Sequence, residues 1–221
     1  MQSLMRKFAI AALMLTGLTA APKEVSFPSP DGGVVWGDLY GAGDRAVVLA
    51  HGARFNKASW AKQAEVLANA GFRVLAIDFR GYGKSHGGDQ SSSGGGEKYQ
   101  DILAAIRYLR ENGAKTVSVI GASMGGGAAA TALIHARPGE VDRLVLLAHM
   151  PVAEPERLTG PKLFVTSSGD GLAAKVREQF EKTPEPKELV ILDGSAHAQF
   201  LFETDQGERL MNKLLDFLSK P

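Results

Sequence analysis

The chain of 221 residues contains no cysteine. This absence excludes a disulfide framework, a thiolate metal site, a cysteine nucleophile and a lipid-modified cysteine anchor. Blocks of like charge are missing too, and 25 Lys+Arg against 24 Asp+Glu leave a formal net charge of +1. We therefore expect no nucleic-acid partner. Neither a metal-binding H-E-x-x-H motif nor a dinucleotide fingerprint occurs, so we expect no metal and no cofactor.

The chain lacks a long membrane-spanning run near its start, but it opens on a short apolar one. Two basic residues precede an apolar run from Phe8 to Leu18, and small residues follow. This order is typical of a secretory signal peptide, with cleavage near residue 20. The alternative is an uncleaved anchor, but a spanning helix needs about 20 apolar residues. We therefore predict that residues 1–20 are a signal peptide and that the protein is exported, periplasmic or secreted, with no membrane attachment afterwards.

Residues 22–221 are predicted to form one domain. Eight stretches have the composition of strands: three within EVSFPSPDGGVVWGDLYGAGDRAVVLAHG, then RVLAIDF, KTVSVIGAS, DRLVLLAHM, KLFVTSSGD and KELVILDGS. Amphipathic or Ala-rich stretches between and after them predict helices over residues 57–69, 97–111, 124–136, 171–182 and 205–219. This alternation predicts an α/β fold, with a mostly parallel eight-stranded sheet and helices on both faces.

A single serine stands between glycines where the fifth predicted strand meets a helix. Residues 121–125 read Gly-Ala-Ser-Met-Gly, which matches G-x-S-x-G. Three glycines at 125–127 weaken a helix start by roughly 1 kcal/mol each relative to Ala, so a requirement at Ser123 has to offset this cost. A sharp strand-to-helix turn supplies one, because it exposes a serine oxygen only when its neighbours lack a Cβ. The pattern predicts that Ser123 is a nucleophile.

A nucleophilic serine needs a base, and the base needs an orienting acid; in this architecture the acid and then the histidine follow the serine. His197 lies in the loop after the last predicted strand and is the predicted base. His135 sits within a helix, and His149 ends a strand where it is able to line a pocket. Upstream, His51 is expected to make a structural hydrogen bond.

The predicted acid is Asp170, which ends the strand before the histidine loop. Its alternative use is as a helix N-cap. Glu154 is the second choice, while Asp193 shares the loop of the histidine and Asp142 begins a strand on the wrong side of the sheet. Two backbone N–H groups should bind the oxyanion. These are predicted at Met124, directly after the serine, and at Ala53, in the loop after the third strand.

These residues together resemble the α/β-hydrolase superfamily. The stretches HGARFNKASW, GFRVLAIDFRGYGKS, GASMGG, SSGD and GSAH occur in the order of that fold. Within it, the chain is similar to small bacterial serine esterases of the dienelactone-hydrolase-like type, although dienelactone hydrolase itself uses a cysteine where this chain has Ser123. Only residues 151–161 join the sixth strand to the seventh, and this segment is too short for the helical lid of many relatives. The resemblance implies a lidless α/β-hydrolase fold with an open, shallow site.

The resemblance and the three residues together predict a serine hydrolase that cleaves carboxylic esters of small molecules through an acyl-enzyme. A thioesterase or peptidase using the same residues is the alternative, and a non-catalytic binding protein is a further one. DFRGYGKS ends like a phosphate-binding loop, but Asp78 stands where that motif needs glycine, so nucleotide binding is rejected. Pocket edges are expected at Arg54, Phe55, His149 and the Gly/Ser-rich residues 87–97.

Overall fold

An eight-stranded sheet forms the middle layer of the computed structural model, which describes residues 21–88 and 96–220. The strands are β1 (Lys23–Pro28), β2 (Val34–Tyr40), β3 (Arg45–Ala50), β4 (Arg73–Asp78), β5 (Thr116–Ala122), β6 (Arg143–Leu147), β7 (Lys162–Ser167) and β8 (Lys187–Leu192). Their order across the sheet is β1-β2-β4-β3-β5-β6-β7-β8. β2 pairs antiparallel with β1 and β4, and the other pairs are parallel. The carboxyl ends of β3 to β8 therefore lie along one edge.

Within residues 21–88 and 96–220, five α-helices connect or follow the strands. They are α1 (Ala61–Asn69), α2 (Tyr99–Glu111), α3 (Met124–His135), α4 (Ala173–Lys182) and α5 (Gly207–Ser219). Short 3-10 turns occur at Lys57–Trp60, Gly96–Lys98, Pro155–Arg157 and Ala198–Glu203. Gly71 and Gly113, at φ +87° and +93°, follow the ends of α1 and α2. Such left-handed positions favour glycine and end a helix cleanly.

Two hydrophobic layers hold the helices against the sheet. One layer joins α2, α3 and α4 to the sheet, with Ile102, Ile106 and Val176 fully buried. The other joins α1 and α5, with Leu67 and Leu214 buried. Because both faces of the sheet are covered, central strands such as β4 have a continuous apolar sequence and no alternation with polar residues.

The structure confirms the α/β-hydrolase fold and all eight strands. It confirms the five helices with one systematic difference: four of them begin later than the sequence predicts, by two residues or by one short turn. Before α1 and α2 this first turn is a 3-10 turn, which is common at helix ends. The predicted signal peptide at residues 1–20, and residues 89–95 of the Gly/Ser-rich segment, lie outside the described residues.

The segment after β6 has no helical lid. Residues 151–161 contain a single 3-10 turn of three residues, Pro155–Arg157, and then lead into β7. Within the described parts of the chain, no helix combines the length and the apolar character needed to cross a bilayer.

Candidate active site

Ser123 occupies the tight turn between β5 and α3. Its φ and ψ are +50° and −115°, a backbone conformation that non-glycine residues rarely adopt. Four hydrogen bonds hold it there: the Ser123 N–H donates to the Leu147 carbonyl at 2.9 Å, and its own carbonyl accepts from the N–H groups of Met150, Gly126 and Gly127 at 2.9, 3.0 and 3.1 Å. The strained turn leaves the Ser123 side chain partly exposed at the carboxyl edge of the sheet.

The neighbouring glycines explain how this turn fits. A Cβ on Gly121 would collide with the backbone of Gly125, and a Cβ on Gly125 would collide with the carbonyl oxygens of Ala50 and His51, at and just after the end of β3. A Cβ on Gly126 would lie 2.5 Å from the Cβ of His149. Glycine at all three positions therefore lets α3 approach the strands closely enough to put Ser123 at the turn. Gly125 and Gly126, two of the helix-weakening glycines noted in the sequence, are therefore needed for close packing.

The structure brings Ser123, His197 and Asp170 together in one hydrogen-bonded chain. His197 Nε2 lies 2.8 Å from Ser123 Oγ, and His197 Nδ1 lies 2.6 Å from Asp170 Oδ2. The carboxylate is buried, with 1% of its side chain exposed, whereas 40% of the His197 side chain is exposed. A carboxylate oxygen is only able to accept a hydrogen bond, so Nδ1 of His197 carries the proton and donates a hydrogen bond to Asp170. Nε2 is then unprotonated and free to accept the Ser123 hydroxyl proton.

Asp170 also accepts hydrogen bonds at the start of a helix, which is the alternative role predicted for it. Its Oδ1 accepts the Leu172 N–H at 2.6 Å, and its carbonyl accepts the Ala173 N–H at 2.9 Å, just where α4 begins. One oxygen therefore holds the loop and the other holds the imidazole. The two interpretations of this residue, orienting acid and helix-start acceptor, are not exclusive.

The two predicted oxyanion donors flank the turn. Met124 is the first residue of α3, and Ala53 lies in the exposed loop after β3. Among the described residues, neither N–H donates to a protein acceptor. Both groups are therefore available to an oxyanion, as the free N–H groups of a helix start are. Tyr82 Oη donates to the Ala53 carbonyl at 2.9 Å and limits movement of this loop.

His51 fixes the peptide that precedes Ala53. It is fully buried, its Nε2 accepts the Phe79 N–H at 3.2 Å, and its Nδ1 lies 2.9 Å from the Gly52 carbonyl oxygen. Since Nε2 accepts, Nδ1 carries the proton and donates. Burial lowers the pKa of His51, which favours this neutral form. The expected structural hydrogen bond of His51 is confirmed.

His149 does not line an open pocket, and that expectation is wrong. The residue is 1% exposed, and its Nε2 lies 3.0 Å from Oε1 of Gln179. The same Oε1 accepts the Val152 N–H, and the Gln179 amide donates to the Val152 carbonyl. Burial lowers the pKa of His149 to about 4. The Gln179 amide holds the ring beneath the loop that contains Val152. The sequence around His149 does not reveal this distant partner.

The remaining histidine and acid candidates lie in other surroundings. His135 is exposed at the end of α3 and stacks on Tyr99 with ring centroids 4.7 Å apart. Glu154 pairs with Arg157 at 2.7 Å on the surface. Asp142 accepts from the Val117 N–H and Arg110, away from the carboxyl edge. None of these three contacts Ser123 or His197 through a hydrogen bond.

The surface beside Ser123 is apolar and accessible. Met150 and Phe200 are each 44% exposed. Met150 is tied by its N–H to the Ser123 carbonyl, and Phe200 by its N–H to the His197 carbonyl. Phe55, one of the expected pocket edges, meets Phe200 edge to face at 5.1 Å. In the described parts of the chain, no cluster of three or more His, Cys, Asp or Glu side chains is arranged to hold a metal ion.

Sequence reasoning missed Gln199. This residue is buried, lies two positions after His197, and donates and accepts across 140 or more residues of chain. The available signal was its place in the segment HAQF, where an amide between apolar residues near a reactive histidine needs a partner. No local pattern identifies that partner.

A family model described as serine aminopeptidase, S33, matches residues 41–169, which is more than half of the chain and includes Ser123. The chain belongs to this family of α/β hydrolases. Solved members of the fold superpose on most of it. An esterase from Pyrococcus furiosus has a TM-score of 0.76 at 21% identity and covers 89% of this chain and 91% of its own. A dienelactone hydrolase from Anabaena variabilis has a TM-score of 0.73 at 23% identity, covering 90% and 97%.

Curated relatives are similar over shorter stretches. A putative non-heme chloroperoxidase from Synechocystis is 37% identical over 119 residues, covering 52% of this chain and 41% of that protein. A putative protein-lysine deacylase from Rattus norvegicus is 28% identical over 182 residues, covering 79% and 83%. Apart from such length-matched relatives, the chain spans about half the length of the first curated relatives that it matches.

Proposed function

We propose that the protein is a serine hydrolase that cleaves carboxylic esters through an acyl-enzyme intermediate. The observation that carries this proposal is the continuous hydrogen-bonded chain from Asp170 through His197 to Ser123, with contacts of 2.6 and 2.8 Å. The membership of the α/β-hydrolase family supports it. A nucleophile, a base and an orienting acid at these distances are the arrangement that acyl transfer requires.

In the first half of the reaction, the Ser123 oxygen attacks the acyl carbon and its proton passes to Nε2 of His197. The carbonyl oxygen becomes negative and accepts hydrogen bonds from the N–H groups of Met124 and Ala53. Asp170 stabilises the imidazolium that forms. The bond to the alcohol oxygen then breaks, His197 returns the proton to that oxygen, and the acyl group remains on Ser123.

In the second half, water replaces the alcohol. His197 takes a proton from the water as it attacks the acyl carbon, and the same two N–H groups hold the second oxyanion. The bond to Ser123 Oγ breaks, and the serine recovers its proton from His197. The products are a carboxylic acid and the free enzyme, so one water is consumed for each ester.

Apolar side chains on both sides of Ser123 indicate the substrate chemistry. Large exposed apolar side chains next to a polar centre are typical of a ligand site. Here Met150 borders the serine turn, while Phe200 and Phe55 border the histidine loop and the oxyanion loop. Residues 151–161, where many relatives carry a lid, form one short 3-10 turn here and no helical lid. We therefore propose esters with an accessible apolar acyl group.

A panel of model substrates tests the proposal. The purified protein is offered p-nitrophenyl esters of increasing acyl length, an acyl-thioester, an acyl-lysine amide and an aminoacyl amide, with Ser123→Ala as control. We expect the ester series to be cleaved with the highest kcat/KM, and the Ser123→Ala variant to lose at least about 10³-fold in kcat. Failure to cleave any substrate while the protein stays folded would favour the binding-protein alternative.

Amide cleavage is the second candidate. It is favoured by the description of the family model and by the length-matched relative named as a putative protein-lysine deacylase. The same three residues serve both reactions, because each leaving group needs one proton from the base. A kcat/KM for either amide above that for the ester of the same acyl group would replace ester cleavage by this reaction.

We also propose that the protein is exported, to the periplasm or the medium of a bacterium. The support is the order of charge, apolar run and small residues at positions 1–20. Mass spectrometry of the protein recovered from the periplasmic fraction tests it. We expect a mature N-terminus near residue 21, and an intact N-terminus in the cytoplasmic fraction would contradict it.

A further inference from the structure

Gln199 connects two loops that flank the candidate active site. Its side-chain Oε1 accepts the Gly52 N–H at 3.3 Å, and its Nε2 donates to Ser59 Oγ at 3.1 Å. The residue is only 4% exposed. It follows His197 by two positions, while Gly52 precedes the predicted oxyanion donor Ala53. One amide thus links the segment that carries the base to the segment that carries an oxyanion donor.

The contact with Gln199 completes the fixation of Gly52. The Gly52 carbonyl oxygen accepts from Nδ1 of His51 at 2.9 Å and from the Phe55 N–H at 3.0 Å. That carbonyl belongs to the same planar peptide unit as the Ala53 N–H, and in a trans peptide the two groups point in opposite directions. Holding Gly52 at both its N–H and its carbonyl therefore sets the direction of the Ala53 N–H.

Packing between the same two loops supports the connection. A Cβ built on Gly52 would lie 3.3 Å from Oε1 of Gln199, 3.4 Å from the Phe55 ring and 3.5 Å from the Cβ of Ala198. Ala198 itself has φ +55°, a strained value for alanine. The edge-to-face contact of Phe55 with Phe200 is a second link between the loops. The histidine loop therefore takes a strained path that keeps Gln199 against Gly52.

We propose that Gln199 is a positioning residue for the oxyanion hole, an inference that rests on the proposed function. Its Oε1 holds the Gly52 N–H, and the peptide that follows is thereby oriented so that the Ala53 N–H meets the oxyanion. Without this acceptor the Gly52 N–H is buried and unpartnered, which costs free energy and drives the loop to rearrange. Gln199 touches no reacting atom, so its removal should weaken binding of the tetrahedral state more than binding of the ester.

Two variants separate the contacts of Gln199. Gln199→Met removes the acceptor and the donor while keeping a side chain of similar length. Ser59→Ala removes the second partner, together with the Ser59 Oγ bond to the Asn56 carbonyl, and leaves the Gly52 contact in place, so it is the matched control. Each is compared with the wild type for kcat and KM on the best ester, for affinity of an alkyl boronic acid that forms a tetrahedral adduct, and for thermal unfolding.

The expected result is a fall in kcat of about 10-fold in Gln199→Met with KM within about twofold, and a matching loss of boronic acid affinity. Ser59→Ala should stay within about threefold of the wild type in all three quantities. If Gln199→Met does not fold, Gln199→Asn takes its place with the same expected loss, because its shorter side chain falls short of the Gly52 N–H.

An unchanged kcat in a folded Gln199→Met protein would overturn the inference. So would a rise in KM alone, or an equal loss in Ser59→Ala, since neither reports on the Gly52 contact. A wild-type protein that cleaves no ester and forms no boronic acid adduct rejects the proposed function, and the inference with it. That outcome is distinct because it appears before any variant is made.

Discussion

Oδ2 of Asp170 lies 2.6 Å from Nδ1 of His197, and the other oxygen of the same carboxylate holds the N–H of Leu172. The carboxylate is thus fixed by the start of α4 before it fixes the imidazole. Its burial keeps water from competing for the bond, so the tautomer of His197 depends on this one acceptor.

The Asp170→Asn variant should lower kcat by about 10³- to 10⁴-fold with little change in KM, because an amide at this position favours the wrong tautomer of the base. Steady-state kinetics on a p-nitrophenyl ester measure it. The control is Asp193→Asn, which changes an exposed carboxylate in the same loop as the histidine and should keep kcat within about twofold. A loss below tenfold in Asp170→Asn would mean that another group orients His197.

Acid should destabilise the protein through His149. Burial lowers its pKa from 6.5 to about 4, so between these values the unfolded chain binds a proton that the folded chain does not. The free energy of unfolding is therefore highest above pH 6.5 and falls as the pH drops toward 4. This one group lowers it by up to about 3 kcal/mol. Urea unfolding at several pH values measures the slope.

The substitution His149→Gln tests the origin of that slope. We expect a protein that is less stable at pH 7 but loses less stability between pH 6.5 and 4 than the wild type does. His135→Gln changes an exposed histidine and should keep the wild-type slope. Parallel curves for the wild type and His149→Gln would show that this residue does not cause the acid sensitivity.

A buried ion pair fixes the turn after β4. The Arg80 guanidinium bonds Asp101 at 2.7 Å, with 4% and 1% of their side chains exposed, and it also contacts Asp31. Because Asp101→Asn leaves a buried cation with one partner fewer, we expect it to lower the free energy of unfolding by about 3 kcal/mol. Glu178→Gln, which breaks the exposed contacts with Lys175 and Lys182, should leave the unfolding midpoint unchanged. Equal shifts in the two variants would contradict a special role for burial.

Close packing at the serine turn predicts that Gly125→Ala is not tolerated. The added Cβ would lie 2.6 Å from the His51 carbonyl oxygen and closer still to that of Ala50, and neither backbone group moves freely. We expect a loss of activity together with a drop of about 3 kcal/mol in the free energy of unfolding. Thermal unfolding measures the change in stability. Gly171→Ala is the control, since a Cβ there meets nothing within 4 Å. Wild-type stability in Gly125→Ala would contradict the packing account.

Much of the fold was predictable because its determinants are local. The apolar runs of the covered strands and the stripe on α2 depend on nearest neighbours in sequence, and Gly71 and Gly113 end helices through their own backbone. Ser123 was also predictable, since its turn requires glycine two residues away on each side. His197 and Asp170 followed from the order of elements, because parallel strands bring their carboxyl ends to one edge.

The parts that the sequence did not reveal depend on distant partners. Gln199 reaches Gly52 across 147 positions, and no spacing rule links an amide to a backbone N–H so far away. The burial of His149 depends on Gln179 in α4, which turns the ring under the loop. Strained φ values at Ala148 and Ala198 likewise follow from tertiary contacts, since alanine has no local preference for them.

Reaction with a fluorophosphonate probe, followed by peptide mass spectrometry, tests whether Ser123 is the nucleophile. We expect one adduct per chain, on the peptide that contains Ser123, and no adduct in a folded Ser123→Ala protein. Equal labelling of the two proteins, or an adduct on any other residue, would contradict this expectation.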